Sequence, residues 1–168
     1  MIEIGQLEAK DIDTIVDVGG DREHGMPSFW HVLLEEQTDG ERITLVARDS
    51  EGVVGYVHLK WRSKYPRFAE ANIPEVSDLR VASRAWRQGV ATSLIARCER
   101  LACDAGHTMV GIGVGLYADY GPAQRLYAKL GYEPDGFGAT YNNEPVTPGG
   151  TARVDDDLIL WLVRKLAK

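Results

Sequence analysis

The stretch RVASRAWRQGVATSLIARCERLACDAGH, residues 80–107, couples a strongly patterned helix to a start that its own residues do not complete. Val90, Ala91, Leu94, Ile95, Cys98, Leu101 and Ala102 recur at the i, i+3/i+4, i+7 spacing of one buried face, and Arg97, Glu99, Arg100 and Asp104 fall on the other. Before this pattern stands Trp86-Arg87-Gln88-Gly89, with no Ser, Thr, Asp or Asn placed to cap the orphan N–H groups of the first turn. Arg84 and Arg87 also crowd an end where the helix dipole disfavours positive charge.

Two explanations are open: water caps an ordinary surface end, or an anion does. A glycine between a strand and a helix start leaves bare N–H groups aimed at one spot, and phosphate is held there by hydrogen bonding and dipole together. A strand is expected just before the turn. Proline cannot donate to a ladder, so this strand begins only after Pro74, as EVSDLRV, residues 75–81.

Outward from this pair, periodicity predicts a strand at IEIGQL, helices near EAKDIDTIVDV and SFWHVLLEEQ, and strands RITLVARD and VVGYVHLKW joined by a hairpin at Asp49-Ser50-Glu51-Gly52. WRSKYPRFAEANIP reads as a polar and aromatic loop that lines a cleft or anchors itself. TMVGIGVGL, 108–116, reads as a strand with bulges. GPAQRLYAKLGY, 121–132, reads as a helix with Pro122 at its first turn and Gly131 just past its end, where Tyr132 can touch Tyr127. A turn at Pro134-Asp135-Gly136 leads to a strand near GATY, and LILWLV, 158–163, closes the chain as a buried strand. Strands with flanking helices, hairpins as well as crossovers, imply a mixed α/β sheet.

At 168 residues the chain is one domain long, with 44% hydrophobic and 26% charged residues. MIEIGQLEAK carries no secretory pattern and no apolar run reaches a membrane span, which points to a cytoplasmic protein. Cys98 and Cys103 are packing residues on different faces of one helix. A net charge of −6 argues against nucleic acid and membrane surfaces as partners. Residues 80–100 differ, with five arginines against the single acid Glu99, and a small anion fits them.

DLRVASRAWRQGVATSLI followed by YGPAQRLYAKLGY resembles the GNAT superfamily of acyl-CoA-dependent N-acetyltransferases. Leu79 and Val81 match that family's hydrophobic-x-Val strand end, and Gly89 and Ala91 match the small residues of its Arg/Gln-x-x-Gly-x-Gly/Ala turn. Ala123, Leu126, Tyr127, Lys129, Gly131 and Tyr132 match its later motif. Trp86 departs from the turn's first Arg/Gln, and Tyr120 stands where the family often has the Asn that holds the pantetheine arm.

The resemblance implies a single GNAT domain over 1–168, with a mostly antiparallel central sheet flanked by helices and a splay between its fourth and fifth strands. It implies acetyl-CoA as cosubstrate, bound by Leu79, Arg80, Val81, Arg87, Gln88, Gly89, Val90, Ala91 and Thr92, with Tyr120, Ala123 and Tyr127 from the later motif. The implied reaction is acetyl transfer to a primary amine, small-molecule or peptide, by direct attack on the thioester, with no metal. A homodimer stays open. So do a non-catalytic acyl-CoA sensor, a longer acyl group and a protein N-terminal acceptor.

Such a reaction needs a route for the amine's proton, donors for the oxyanion, which a main-chain N–H of strand 75–81 could supply, and a proton for the thiolate. In the family the acid is often the tyrosine matching Tyr127, a position that equally suits packing. Asp78 and Glu75 are candidate bases, on opposite faces by alternation, or plain strand-end charges.

Other signals carry less. GIGVG, 111–115, lacks the last glycine and the acid of a dinucleotide fingerprint; DDD, 155–157, reads as a solvated lead-in to the last strand; and His24, His31, His58 and His107 show no metal-binding spacing.

Overall fold

The computed structural model describes residues 2–20 and 23–167; Met1 and Lys168, the ends of the 1–168 domain reading, lie outside the described residues. In chain order the elements are β1 (Glu3–Gln6), α1 (Ile12–Gly19), α2 (Pro27–Thr38), β2 (Arg42–Asp49), β3 (Gly52–Lys60), α3 (Pro66–Glu70), β4 (Glu75–Val81), α4 (Val90–Asp104), β5 (Met109–Gly115), α5 (Gly121–Lys129), β6 (Glu133–Tyr141), β7 (Glu144–Pro145) and β8 (Leu158–Lys165). The fold is mixed α/β with mostly antiparallel strands. Two compact units compose it, residues 1–61 with 76–100, and residues 62–75 with 101–168.

In the first unit the strands are ordered β1-β2-β3-β4. β2 and β3 form the expected hairpin, from Arg42 opposite Lys60 to Asp49 opposite Gly52. Its inner face packs Val46, Val53 and Tyr56 against Ile12 and Ile15 of α1 and Trp30 and Leu33 of α2. Each large apolar side chain withdrawn from water here contributes about 1.5–3 kcal/mol. Asp11 fixes the entry to α1: its buried carboxylate takes Arg48 Nε and Nη2 at 2.6 Å each and the Glu8 N–H at 2.7 Å. A buried carboxylate is tolerable when its lone pairs are used in this way.

In the second unit β5-β8-β6-β7 lie in that order, each neighbouring pair antiparallel. β5 pairs with β8 in unbroken register from Met109 opposite Lys165 to Gly115 opposite Ile159, so the bulges expected in GIGVG are absent from this pairing. The glycines make room for rings instead. A Cβ at Gly111 would stand 2.1 Å from the Phe68 ring, and one at Gly115 would stand 2.4 Å from the Tyr120 ring.

The stretch expected as a loop contains α3, which begins at Pro66 and buries Phe68 with Tyr65 against Trp161. Tyr65 stacks on Trp161 at 4.5 Å. The turn expected at Pro134-Asp135-Gly136 lies inside β6, as a break in register between Pro134 and Ala139. Asp135 there accepts the Tyr65 hydroxyl at 2.9 Å. α5 ends as its sequence indicates: Gly131, at φ 84°, donates to the Ala128 carbonyl and Tyr132 to the Tyr127 carbonyl, with the two tyrosine rings 6.1 Å apart.

Candidate functional site

Past Val81 the chain makes a short turn at Ser83–Ala85 and folds back on the strand end. The exposed Trp86 donates its indole N–H to the Val81 carbonyl at 2.7 Å, and the Gln88 amide donates to the Arg84 carbonyl at 2.9 Å. Arg87 and Gly89 then take the left-handed conformation, at φ 61° and 80°. The first helical bond of α4 runs from the Ser93 N–H to the Gly89 carbonyl, so the N–H groups of Val90, Ala91 and Thr92 have no carbonyl within the helix. A Cβ on Gly89 would meet nothing within 4 Å. Open space therefore borders Gly89 at the head of these donors, which leaves room for an anionic group. Val90 is buried, Ala91 half-buried and Thr92 exposed, so the first turn is anchored on one side and open on the other.

Gly55 of β3, a position the sequence does not single out, lets the turn sit where it does. A Cβ there would lie 2.9 Å from the Arg80 carbonyl oxygen and 3.3 Å from side chains of Val81 and Val90. The arginines divide their work. Arg84 pairs with Asp49 and stands 3.8 Å from Glu51, and Arg80 donates to the Gly19 carbonyl at the end of α1 at 2.6 Å. The crowding of positive charge expected at the helix start is thus partly neutralised, and Arg87 is left exposed beside the open donors.

In mid-β4, Asp78 also has a left-handed backbone, at φ 53°, which costs a non-glycine residue about 1–2 kcal/mol. The alternation that set Asp78 and Glu75 on opposite faces does not carry through such a residue. The Asp78 carboxylate is 43% exposed and lies 3.8 Å from Lys60 Nζ. Desolvation pushes it up, but the electrostatic pull of His58 and of the Lys60 ammonium, with the neighbouring Ser77 hydroxyl, holds it below the usual carboxylate range. His58 of β3 is 1% exposed, and burial pushes its imidazole down to about 3 against the pull of Asp78. It is neutral at pH 7, with Nδ1 and Thr44 Oγ1 2.9 Å apart.

The model of the acetyltransferase (GNAT) family matches residues 10–132. The chain belongs to this family. No curated protein matches the GNAT chain by sequence. Among solved structures it is similar to an N-acetyltransferase from Staphylococcus aureus Mu50, at TM-score 0.74 and 16% identity over 99% of each chain. It is similar to a ribosomal-protein-alanine N-acetyltransferase from Brucella melitensis, at 0.72 and 18% over 98% of this chain and 99% of that one. It is also similar to the PaiA N-acetyltransferase from Thermoplasma acidophilum in complex with coenzyme A, at 0.67 and 15%, again over 98% and 99%. These likenesses show the GNAT fold.

The structure brings Asp78, Leu79, Arg80, Val81 and residues 87–92 into the first unit, on β4 and the turn that leaves it. The other sequence-derived residues of this GNAT chain lie in the second unit. Glu75 is buried and accepts the Ser63 hydroxyl at 2.5 Å, and Ser63 in turn accepts the Tyr65 N–H at 3.0 Å, so this carboxylate secures the approach to α3. Tyr120 lays its ring over Gly115, donates to Asp156 at 3.1 Å and meets Tyr117 edge-on at 5.1 Å. Asp155 accepts the Tyr141 hydroxyl at 3.0 Å. The acidic lead-in expected to be merely solvated is therefore a set of tyrosine acceptors. Ala123 is half-buried on α5 and Tyr127 is 6% exposed.

Arg87 is open to a direct test. Arg87→Gly removes the left-handed strain and should leave the protein as stable or up to about 1 kcal/mol more so, after the extra chain entropy of glycine is deducted. It should also weaken CoA binding up to about fivefold, the scale of one exposed ion pair. Thermal melting and calorimetric titration of CoA check the two effects separately. Lower stability in the variant would mean that the arginine side chain supports the turn.

Proposed function

We infer that this GNAT chain transfers the acetyl group of acetyl-CoA to a primary amine by direct attack on the thioester. The observation that carries the reading is the start of α4, where three uncommitted N–H groups, left-handed Arg87 and Gly89, and open space together suit a pyrophosphate. The CoA complex of the PaiA neighbour supports the same choice of cosubstrate. In this reading Arg87, Gln88, Gly89, Val90, Ala91 and Thr92 cradle the phosphates, and the main chain of Leu79, Arg80 and Val81 borders the pantetheine arm. A main-chain N–H of β4 receives the oxyanion, and Tyr127 returns a proton to the thiolate. Tyr120 and Ala123 complete the cosubstrate set.

Magnitudes decide where the amine's proton goes. An alkylammonium of reference pKa ~10.4 loses its proton to water at pH 7 at a cost of about 4–5 kcal/mol. Handing it to His58, whose imidazole is pushed down to about 3, costs roughly 10 kcal/mol, and a carboxylate held below the ordinary range, as Asp78 is, is likewise a far weaker base than the amine. Solvent wins by a wide margin. Asp78 then acts as the acceptor's anchor, and Glu75 keeps the loop to α3.

The experiment is free-thiol release from acetyl-CoA with a panel of amines across pH 5.5–9.5. Asp78 and His58 have both completed their titrations below this window, since both are pushed down, so neither bends the profile. kcat/KM should climb about tenfold per pH unit, levelling off near ~8 for an α-amine and still climbing at the top of the window for an alkylamine of pKa ~10. An inflection at one fixed pH for all acceptors would show a protein base instead, and CoA binding without thiol release would mark the chain as a sensor.

A further inference from the structure

Alternate residues of β3 point to one face, so Tyr56 and His58 project together, opposite Val46 and Thr44 of β2. Their rings lie 5.7 Å apart and both are essentially fully buried. Tyr56 Oη and His58 Nε2 nevertheless have no hydrogen-bond partner among the described residues. A buried polar atom without a partner destabilises the fold, and two such atoms side by side call for an explanation beyond packing. Asp78 adds an anion to the same region. Its charge is felt by both side chains, against that of Arg80 at Tyr56 and of Arg42 and Lys60 at His58, and its left-handed backbone is a second strained feature at this place. The half-buried His24 ring stands over Tyr56 at 6.2 Å and nearly parallel to it.

We propose that Tyr56 Oη, His58 Nε2 and the Asp78 carboxylate receive the three N–H bonds of the acceptor's primary ammonium, which makes Tyr56 and His58 the residues that select a primary amine. The proposal rests on the acetyl-transfer reading for its chemistry and on the unpartnered atoms for its place. The 2.9 Å contact of His58 Nδ1 with Thr44 Oγ1 accommodates either neutral tautomer; in the one proposed to bind the amine, Nδ1–H donates to Thr44 and Nε2 offers a lone pair, and the phenol offers another at Oη. The amine reaches them past Asp78, whose carboxylate is partly open to solvent, by displacing the His24 ring.

Loss of one proton to water on the Asp78 side breaks one N–H bond, and the Asp78 carboxylate stays ionised throughout. The amine keeps two N–H bonds, held by two neutral acceptors, and its lone pair is free for the thioester carbon. N-methylation removes an N–H bond and leaves one acceptor unmatched.

Methylammonium chloride and tetramethylammonium chloride are suitable probes, because they share a charge and only the first has N–H bonds. Each is titrated into the protein while the imidazole nitrogens of His58 are followed by ¹⁵N NMR. Methylammonium should move the Nε2 signal saturably and tetramethylammonium should not. Tyr56→Phe should weaken methylammonium at least severalfold while its Tm equals or exceeds that of the parent, since only an unpartnered buried hydroxyl is removed. Equal responses to the two salts, or undiminished methylammonium affinity in the variant, would overturn the proposal. The titration needs no acetyl-CoA and thiol release needs no assumption about Tyr56, so the two readings fail separately.

Discussion

Tyr127→Phe is expected to lower kcat about 10²-fold while leaving acetyl-CoA affinity nearly unchanged. The substitution removes one oxygen and little else. The ring of Tyr127 is 6% exposed and sits 6.1 Å from that of Tyr132, and the main-chain bond that closes α5 uses the Tyr127 carbonyl, which phenylalanine also has. Helix, cap and ring contact should all survive. If the phenol protonates the departing thiolate, its loss falls in the ~10²–10⁴ range of general acid catalysis. The lower end is expected because a thiol of reference pKa ~8.5 is already a tolerable leaving group. Pre-steady-state rates at saturating acetyl-CoA make the comparison, with far-ultraviolet dichroism as the check on folding. Equal chemical rates in the two proteins would give Tyr127 a packing role and leave the acid elsewhere.

What the sequence discloses about this chain follows the range of the interactions involved. The β2–β3 hairpin and the two ends of α5 depend on residues a few positions apart, and their limits are readable from Asp49 to Gly52 and from Pro122 to Gly131. The start of α4 is equally local, since one glycine and a missing cap announce it. α3 is different. Pro66 marks a possible first turn, but five residues make a helix there only because Phe68 and Tyr65 find Trp161, almost a hundred positions on. For the same reason the glycines of β5 read as bulges until the rings of Phe68 and Tyr120 are in place beside them.

The candidate site divides along the same line. Residues 87–92 are visible as a motif, whereas His58 is not, because spacing tests for histidine seek metal ligands and His58 acts through burial and a strand neighbour. A signal did exist. Tyr56 and His58 alternate on an apolar strand beside Lys60, and polar atoms at two inward positions already ask for partners. Asp78 was legible as a carboxylate near the strand end, but its left-handed backbone was not, since aspartate enters that region only under local constraint.

Gly89→Val should abolish most of the acetyl-CoA affinity, by about 100-fold, because two independent penalties meet at one residue. The φ of 80° is one that a β-branched side chain adopts only with strain, and the added methyl groups would enter the open space bordering Gly89 at the head of the Val90, Ala91 and Thr92 N–H groups. Ligand linkage makes the effect easy to see. At 100 times the parent dissociation constant, acetyl-CoA should add about 2.7 kcal/mol of stability; with affinity reduced 100-fold the same concentration adds about 0.4 kcal/mol. For a chain of this length that is a rise in Tm of roughly 5–11 °C against roughly 1–2 °C. Gly89→Asn separates the causes. Asparagine tolerates the left-handed region but still fills the space, so a loss of binding with little loss of unliganded stability assigns the effect to crowding of the phosphates. Parent-like ligand-induced stabilisation in both variants would place the pyrophosphate away from the start of α4.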